Sequence, residues 1–262
     1  MKKCDPTLTS AICKMQLSFR SLILGLRQLF NPKGLSELFM TNDVRTYLSK
    51  AAAILKSNIN LIFLPAALGV LFYIPADADQ PLSFTFFLPL LVLFIIMPLI
   101  YGQFIEIINT NRKISYIQIF NTHWFNFFVV SLCLGIPILV FNITGAISGS
   151  HSFRIDRILV VVIHILSIYI FPLVFLLKKR FTCIPLGIKC LLGNFSYSLP
   201  LVLLAAIPMI LHLISFQPSD ASASASPNFL LNYIFWLVSL IIDFIVFIAA
   251  ALILKGKLLH SQ

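Results

Sequence analysis

Apolar residues in this chain fall in long runs, not in the two-residue alternation of half-buried strands. Six runs stand out: Asn60–Ala76, Phe84–Gly102, Trp124–Gly145, Ile158–Leu177, Ser198–Phe216 and Phe229–Leu254. Crossing a hydrocarbon core of about 30 Å takes roughly 20 apolar residues in a helix, whereas a barrel strand needs only about 9–11 alternating ones. Backbone groups in lipid must be hydrogen-bonded internally, so each run is predicted to be a helix. The expected fold is all-α: a polytopic membrane helix bundle with six transmembrane helices as three hairpins, accompanied by amphipathic cytoplasmic helices.

Between the runs the pattern becomes amphipathic. Leu17–Phe30 places Leu22, Ile23, Leu26, Leu29 and Phe30 on one face with Arg20 and Arg27 off it, which suits a helix lying in a membrane interface. Asn31, Pro32, Lys33 and Gly34 break it. A second stretch, Asp43–Ser57, aligns Val44, Tyr47, Leu48, Ala51, Ile54 and Leu55. Similar spacing recurs before the third run (Ile114, Ile117, Phe120) and before the fifth (Ile184, Ile188, Leu191, Leu192). Three repeats are therefore predicted, each an amphipathic helix followed by a helical hairpin. The expected divisions are a basic N-terminal segment (1–58), a membrane domain (59–254) and a short tail (255–262).

Composition reinforces this reading. Hydrophobic residues make up 59% of the chain and charged residues 11%; soluble domains carry about 25% charged residues. Charge also sets an orientation. Of the 19 Lys and Arg, only Arg154 and Arg157 fall on one side of the six runs; all the others lie before the first run, between the second and third, between the fourth and fifth, or after the sixth. Basic-rich short loops stay in the cytoplasm, so both termini are expected there, with the protein in the cell inner (plasma) membrane. The net charge of +10 is thus a topology signal. Nucleic-acid binding needs a basic soluble domain, which is missing, whereas anionic lipid at the cytoplasmic face fits the same charges. No cleavable signal is expected, since Cys4–Lys14 has no continuous apolar run.

Chemistry is sparse. The five cysteines form no disulfide set: four are expected on the reducing cytoplasmic side and Cys133 inside a span. Cys183 and Cys190 share a helix face but fall short of the four ligands of a structural zinc site, so neither metal nor cofactor is expected. The sequence has no glycine-rich phosphate loop, no His-Glu-x-x-His and no Gly-x-Ser-x-Gly. Glu106 is expected to pair with Arg112 or Lys113 in solvent. Pro65, Pro89, Pro98, Pro137, Pro172, Pro200 and Pro208 in the first five runs read as kinks that shape packing, or as broken helices lining a path.

The sharpest residue is Asp243, midway along the sixth run. An aspartate there costs about 2.5–3.5 kcal/mol on insertion scales, so it is expected to face a bundle interior. Asn232, Trp236, Ser239 and Asp243 make one stripe, and Ser131, Gly135, Asn142 and Gly145 a matching stripe on the third helix. His164 and His212 are the other intramembrane titratable groups. Counted from the run ends at about 1.5 Å per residue, His164 and Asp243 are expected to differ in depth by about ten ångströms.

Asn111-Arg112-Lys113-Ile114-Ser115 leading to Phe120, and Phe171-Pro172-Leu173-Val174 followed by Gly187-Ile188-Lys189 and Gly193-Asn194, carry a family likeness. The layout resembles a loose group of six-span bacterial inner-membrane proteins related to the membrane domain of glycerophosphodiester phosphodiesterases. That resemblance implies an all-helical bundle of paired hairpins. No phosphodiesterase domain is present, so no catalytic residue carries over.

Two functions are expected from these observations. The first is a non-enzymatic, multi-pass envelope or assembly component that associates with another membrane protein or with copies of itself. The alternative is a small transporter or channel using Asp243 with His164 or His212.

Overall fold

A computed structural model describes residues 42–70, 91–148, 153–193, 195–215 and 229–258. The chain divides into two compact units, 1–45 and 46–262, and most of the first lies outside the described residues. So do the predicted interfacial helix Leu17–Phe30 and the loops Ala76–Ser83 and Gln217–Asn228.

The fold is all-α, and no strand occurs among the described residues. Helix α1 is Asn42–Ser57 and α2 is Asn60–Gly69. Helix α3, Val92–Thr110, opens with a π-helical stretch over Val92–Ile96. Helix α4 joins Tyr116–Ile119, a π-helical segment Phe120–Trp124, and Phe125–Ser148. Then come α5 (Phe153–Leu177), α6 (Cys183–Gly193), α7 (Phe195–Ser215) and α8 (Phe229–Ile253), the last continuing into a π turn at Leu254–Leu258.

Four of these helices are individually long and apolar enough to cross a membrane: Val92–Thr110, Tyr116–Phe141, Ile158–Leu177 and Tyr233–Gly256. The pairs α1–α2 and α6–α7, bent by 79° and 110°, raise the number to six if each pair is one broken span. The protein is thus a multi-pass membrane protein.

The second and third runs differ from the sequence expectation. The second run does not end at Gly102: α3 continues to Thr110. It carries polar Gln103 inside because that side chain is satisfied there. Gln103 is 2% exposed, donates Nε2 to the Ile114 carbonyl and accepts the Ile114 N–H at 3.4 Å, clasping the turn that follows the helix. The amphipathic stretch before the third run and the run itself are one helix. A π segment joins them, where the other two repeats bend sharply.

The helix stops follow from local chemistry. Asn111 and Lys178 adopt left-handed conformations, with φ of 57° and 55°. Asn111 returns its N–H to the Ile107 carbonyl at 2.9 Å, closing α3. Asparagine tolerates this region because its short side chain bonds locally.

Helix α8 is central. Of its spanning window 72% is buried, against 11% for α4. The run Phe244–Ala251 is buried on every face, enclosed by α2, α3, α5 and α7. Alanines 249 to 251 let neighbouring backbones approach closely. Helix α4 lies at the margin, packed on α5 and on the start of α3.

Lys113, Arg180 and Lys255 gather at one end. Lys255 Nζ donates to the Ile108 carbonyl at the C-terminus of α3 (2.7 Å), where the helix dipole favours a cation. Arg180 donates Nε to Asn126 Oδ1 (2.7 Å) and stacks 4.4 Å over Phe125, while Asn126 Nδ2 donates to the Lys178 carbonyl (3.1 Å). Lys113 Nζ reaches Asn60 Oδ1 at the start of α2 (3.4 Å). Arg154 and Arg157 occupy the first turns of α5, at the other end of that helix.

Candidate functional site

Four helices line a half-open cavity of about 400 Å³ within the membrane-spanning bundle. Each wall is a helical stripe. Helix α5 contributes Val160, Ile163, His164, Ser167 and Phe171; α8 contributes Asp243, Val246 and Phe247. Ser131, Leu134, Gly135 and Ile138 come from α4, at i, i+3, i+4 and i+7. Tyr101 and Met97 of α3 complete the wall. The volume falls within the range of small-molecule pockets, about 300–1,000 Å³.

The polar centre is a contact between α5 and α8. His164 Nε2 lies 3.5 Å from Asp243 Oδ1, with the two side chains 28% and 30% exposed. The expected depth difference is therefore corrected. Helix α5 starts at Phe153, not Ile158, so His164 stands eleven residues into its helix and Asp243 fourteen into its own. A three-residue offset is about 4.5 Å of rise, which helix tilt absorbs.

The contact is loose. A well-made N–H···O bond is about 2.7–3.2 Å, and Asp243 Oδ1 is buried with no hydrogen-bond partner. Ser131 Oγ on the facing wall is buried and equally unpartnered. Ser167 donates to the His164 carbonyl in its own helix (2.7 Å), so its hydroxyl presents lone pairs to the cavity. Pro172 also lines the cavity, and having no N–H it cannot donate to the carbonyl of Ile168, one turn earlier. The wall therefore offers hydroxyls, one imidazole and one carboxylate. Among the described residues no lysine or arginine lines it.

The other residues singled out by sequence are placed as follows. Ser239 is buried but spends its hydroxyl on the Phe235 carbonyl (2.8 Å), within α8. Trp236 turns toward Gly69 of α2, so the predicted α8 stripe divides above Asp243. Ser131 and Gly135 of the matching α4 stripe do line the cavity. Asn142, His212 and Asn232 belong to α4, α7 and α8, and their side chains lie outside the described residues.

Sequence reasoning missed Tyr101, Ser167 and a second histidine–carboxylate pair. His123, 1% exposed in the π segment of α4, has Nε2 3.9 Å from Glu106 Oε1, and neither ring nitrogen has a hydrogen-bond partner. Glu106 thus faces His123, not Arg112 or Lys113, among the described residues. The signal available for this pair was the seventeen-residue separation around a tight turn, but the π segment sets the rotation of His123 and leaves no mark in hydrophobic spacing.

Elsewhere, an open depression on α6, lined by Pro185, Ile188, Lys189, Leu192 and Gly193, carries neither acid nor histidine. Among the described residues no three of His, Cys, Asp and Glu converge as a metal site would require. No protein-family description, curated protein or solved structure was found to match the chain.

Proposed function

We propose that this chain is a small membrane carrier whose His164–Asp243 pair handles a proton together with a polar solute, and that it is not an enzyme. The observation that carries the reading is the imidazole 3.5 Å from a carboxylate on the wall of an intramembrane cavity. Ionisable groups inside a membrane are costly and mark substrate or proton pathways. A His–Asp couple can exist as an ion pair or as a neutral pair at the same net charge, so a proton can shift between the two side chains without changing the charge held in lipid. Prolines in the spans, including Pro172 on the cavity wall, supply points at which the helices can bend between openings.

Charge supplies the carrier's address. Basic residues cluster at the end formed by Lys113, Arg180 and Lys255, which the positive-inside rule assigns to the cytoplasm of a bacterial cell, with the bundle in the inner membrane and both termini inside. Anionic lipid would face that rim.

The test is proton flux in proteoliposomes driven by an imposed membrane potential and read with an entrapped pH dye. Asp243→Asn and His164→Gln should each reduce flux to the level of protein-free vesicles while the helical circular-dichroism spectrum of the folded bundle is retained. Unchanged flux in both variants sinks the carrier.

A second reading, an assembly component with a membrane-protein partner or a second copy of itself, is favoured by the exposed apolar face of α4, where Leu132, Ile136, Leu139 and Val140 are about half exposed. Native mass spectrometry from lipid particles addresses it: a stoichiometric protein partner that is lost on deleting residues 1–41 supports assembly, and a bare monomer counts against it.

A further inference from the structure

Resting on the carrier reading, we propose that the cavity binds a small organic cation, a protonated amine or a quaternary ammonium, held by Asp243 inside an aromatic cage. Among the described residues the Asp243 carboxylate is the only acid on the wall, and its Oδ1 is buried without a donor. Phe94, Tyr101, Phe127, Phe171 and Phe247 line the same cavity. Four of them form one connected cluster: Tyr101 stacks on Phe247 at 4.2 Å between centroids, and Phe127 meets Phe171 at 5.1 Å and Tyr101 at 6.3 Å. Aromatic faces carry negative potential and attract cations most strongly where water is excluded.

The rest of the wall selects against other ligands. An anion would meet the Asp243 carboxylate and no described lysine or arginine. A bare metal ion would need several converging carboxylates or histidines, and the described residues provide no such group of three. The unpartnered Ser131 hydroxyl sits on the wall contributed by α4, where it can hydrogen-bond a polar ligand. The polar groups that share the cavity with Asp243 are His164 and Ser167 from α5, Tyr101 from α3 and Ser131 from α4. A cation arriving at Asp243 would take the position beside the carboxylate that the His164 imidazole holds at 3.5 Å.

The experiment uses the full chain in phosphatidylcholine nanodiscs, with tetramethylammonium as the probe and tert-butanol and pivalate as neutral and anionic isosteres, binding being read by titration calorimetry against empty discs. Tetramethylammonium alone should bind. Asp243→Asn should weaken it by about tenfold or more. Phe247→Leu, which keeps the apolar character and removes the ring, should weaken it about threefold. Equal binding of tert-butanol, or full binding by both variants, overturns the proposal. Asp243-dependent proton flux without cation binding would remove this ligand class and leave the carrier. Cation binding without flux would leave a binding site and remove the carrier.

Discussion

The indole N–H of Trp124 donates to the backbone carbonyl of Phe94 at 2.6 Å. Phe94 lies four residues before Pro98, which has no N–H to give it, so the carbonyl loses its own helical partner. A side chain from α4 thus repairs the break that proline makes in α3, and the π stretch Val92–Ile96 accommodates the same defect with Met97 N–H bonded back to Val92. Trp124→Phe should cost about 1 kcal/mol in a bundle where interhelical hydrogen bonds average about 0.6 and an orphaned acceptor costs more. In a Pro98→Ala background, where the backbone N–H restored at that position can donate to the Phe94 carbonyl, the same change should cost little. Unfolding of the four proteins in mixed detergent measures the cycle; equal costs in both backgrounds would show that Trp124 acts by packing alone.

The clasp on the α3–α4 turn should be equally specific. Gln103 is buried, and its amide holds both polar groups of Ile114. Gln103→Met keeps the length and removes both bonds, which should destabilise by about 1–3 kcal/mol and speed amide exchange at Ile114. Exchange at wild-type rate would mean that the turn holds itself.

Close approach distinguishes two glycines of α6. A Cβ on Gly187 would stand 2.5 Å from Ile170 Cγ1 and 3.0 Å from the Ile170 Cα and N, and backbone cannot swing aside. Gly193 has nothing within 4 Å. Gly187→Ala should therefore cost about 1–3 kcal/mol by overpacking α5, and Gly193→Ala should be close to neutral. Melting temperatures of the two variants decide it; equal values would place α6 farther from α5 than the structure has it.

The histidine–carboxylate pair should be coupled. His164→Ala leaves Asp243 without its counter-ion, Asp243→Asn leaves His164 alone, and the double variant removes the imbalance. A coupling energy of about 0.5–3 kcal/mol is expected between contacting residues. Strict additivity in the unfolding free energies would mean that the two groups do not interact.

Much of this protein was legible from one dimension. Long apolar runs in lipid have no alternative to helix, since any unpaired backbone group there costs several kilocalories per mole. The same argument identifies Asp243 as an inward-facing position, because an exposed carboxylate at mid-span is too costly. The one-sided basic residues read directly as well, and Lys113, Arg180 and Lys255 do gather at one end of the bundle.

What needed three dimensions was everything that depends on helix start, rotation and offset. An error of one residue turns a side chain by about 100°, and an error of five in the start of α5 set His164 and Asp243 apart on paper when they are in contact. The π segment at Phe120–Trp124 rotates His123 toward Glu106 and Trp124 toward Phe94, and no periodicity announces it. Sequence determined that helices form and which residues cannot face lipid, because those follow from the solvent. Packing alone decided which of those residues meet, because partners on different helices are chosen by close contact and not by spacing along the chain.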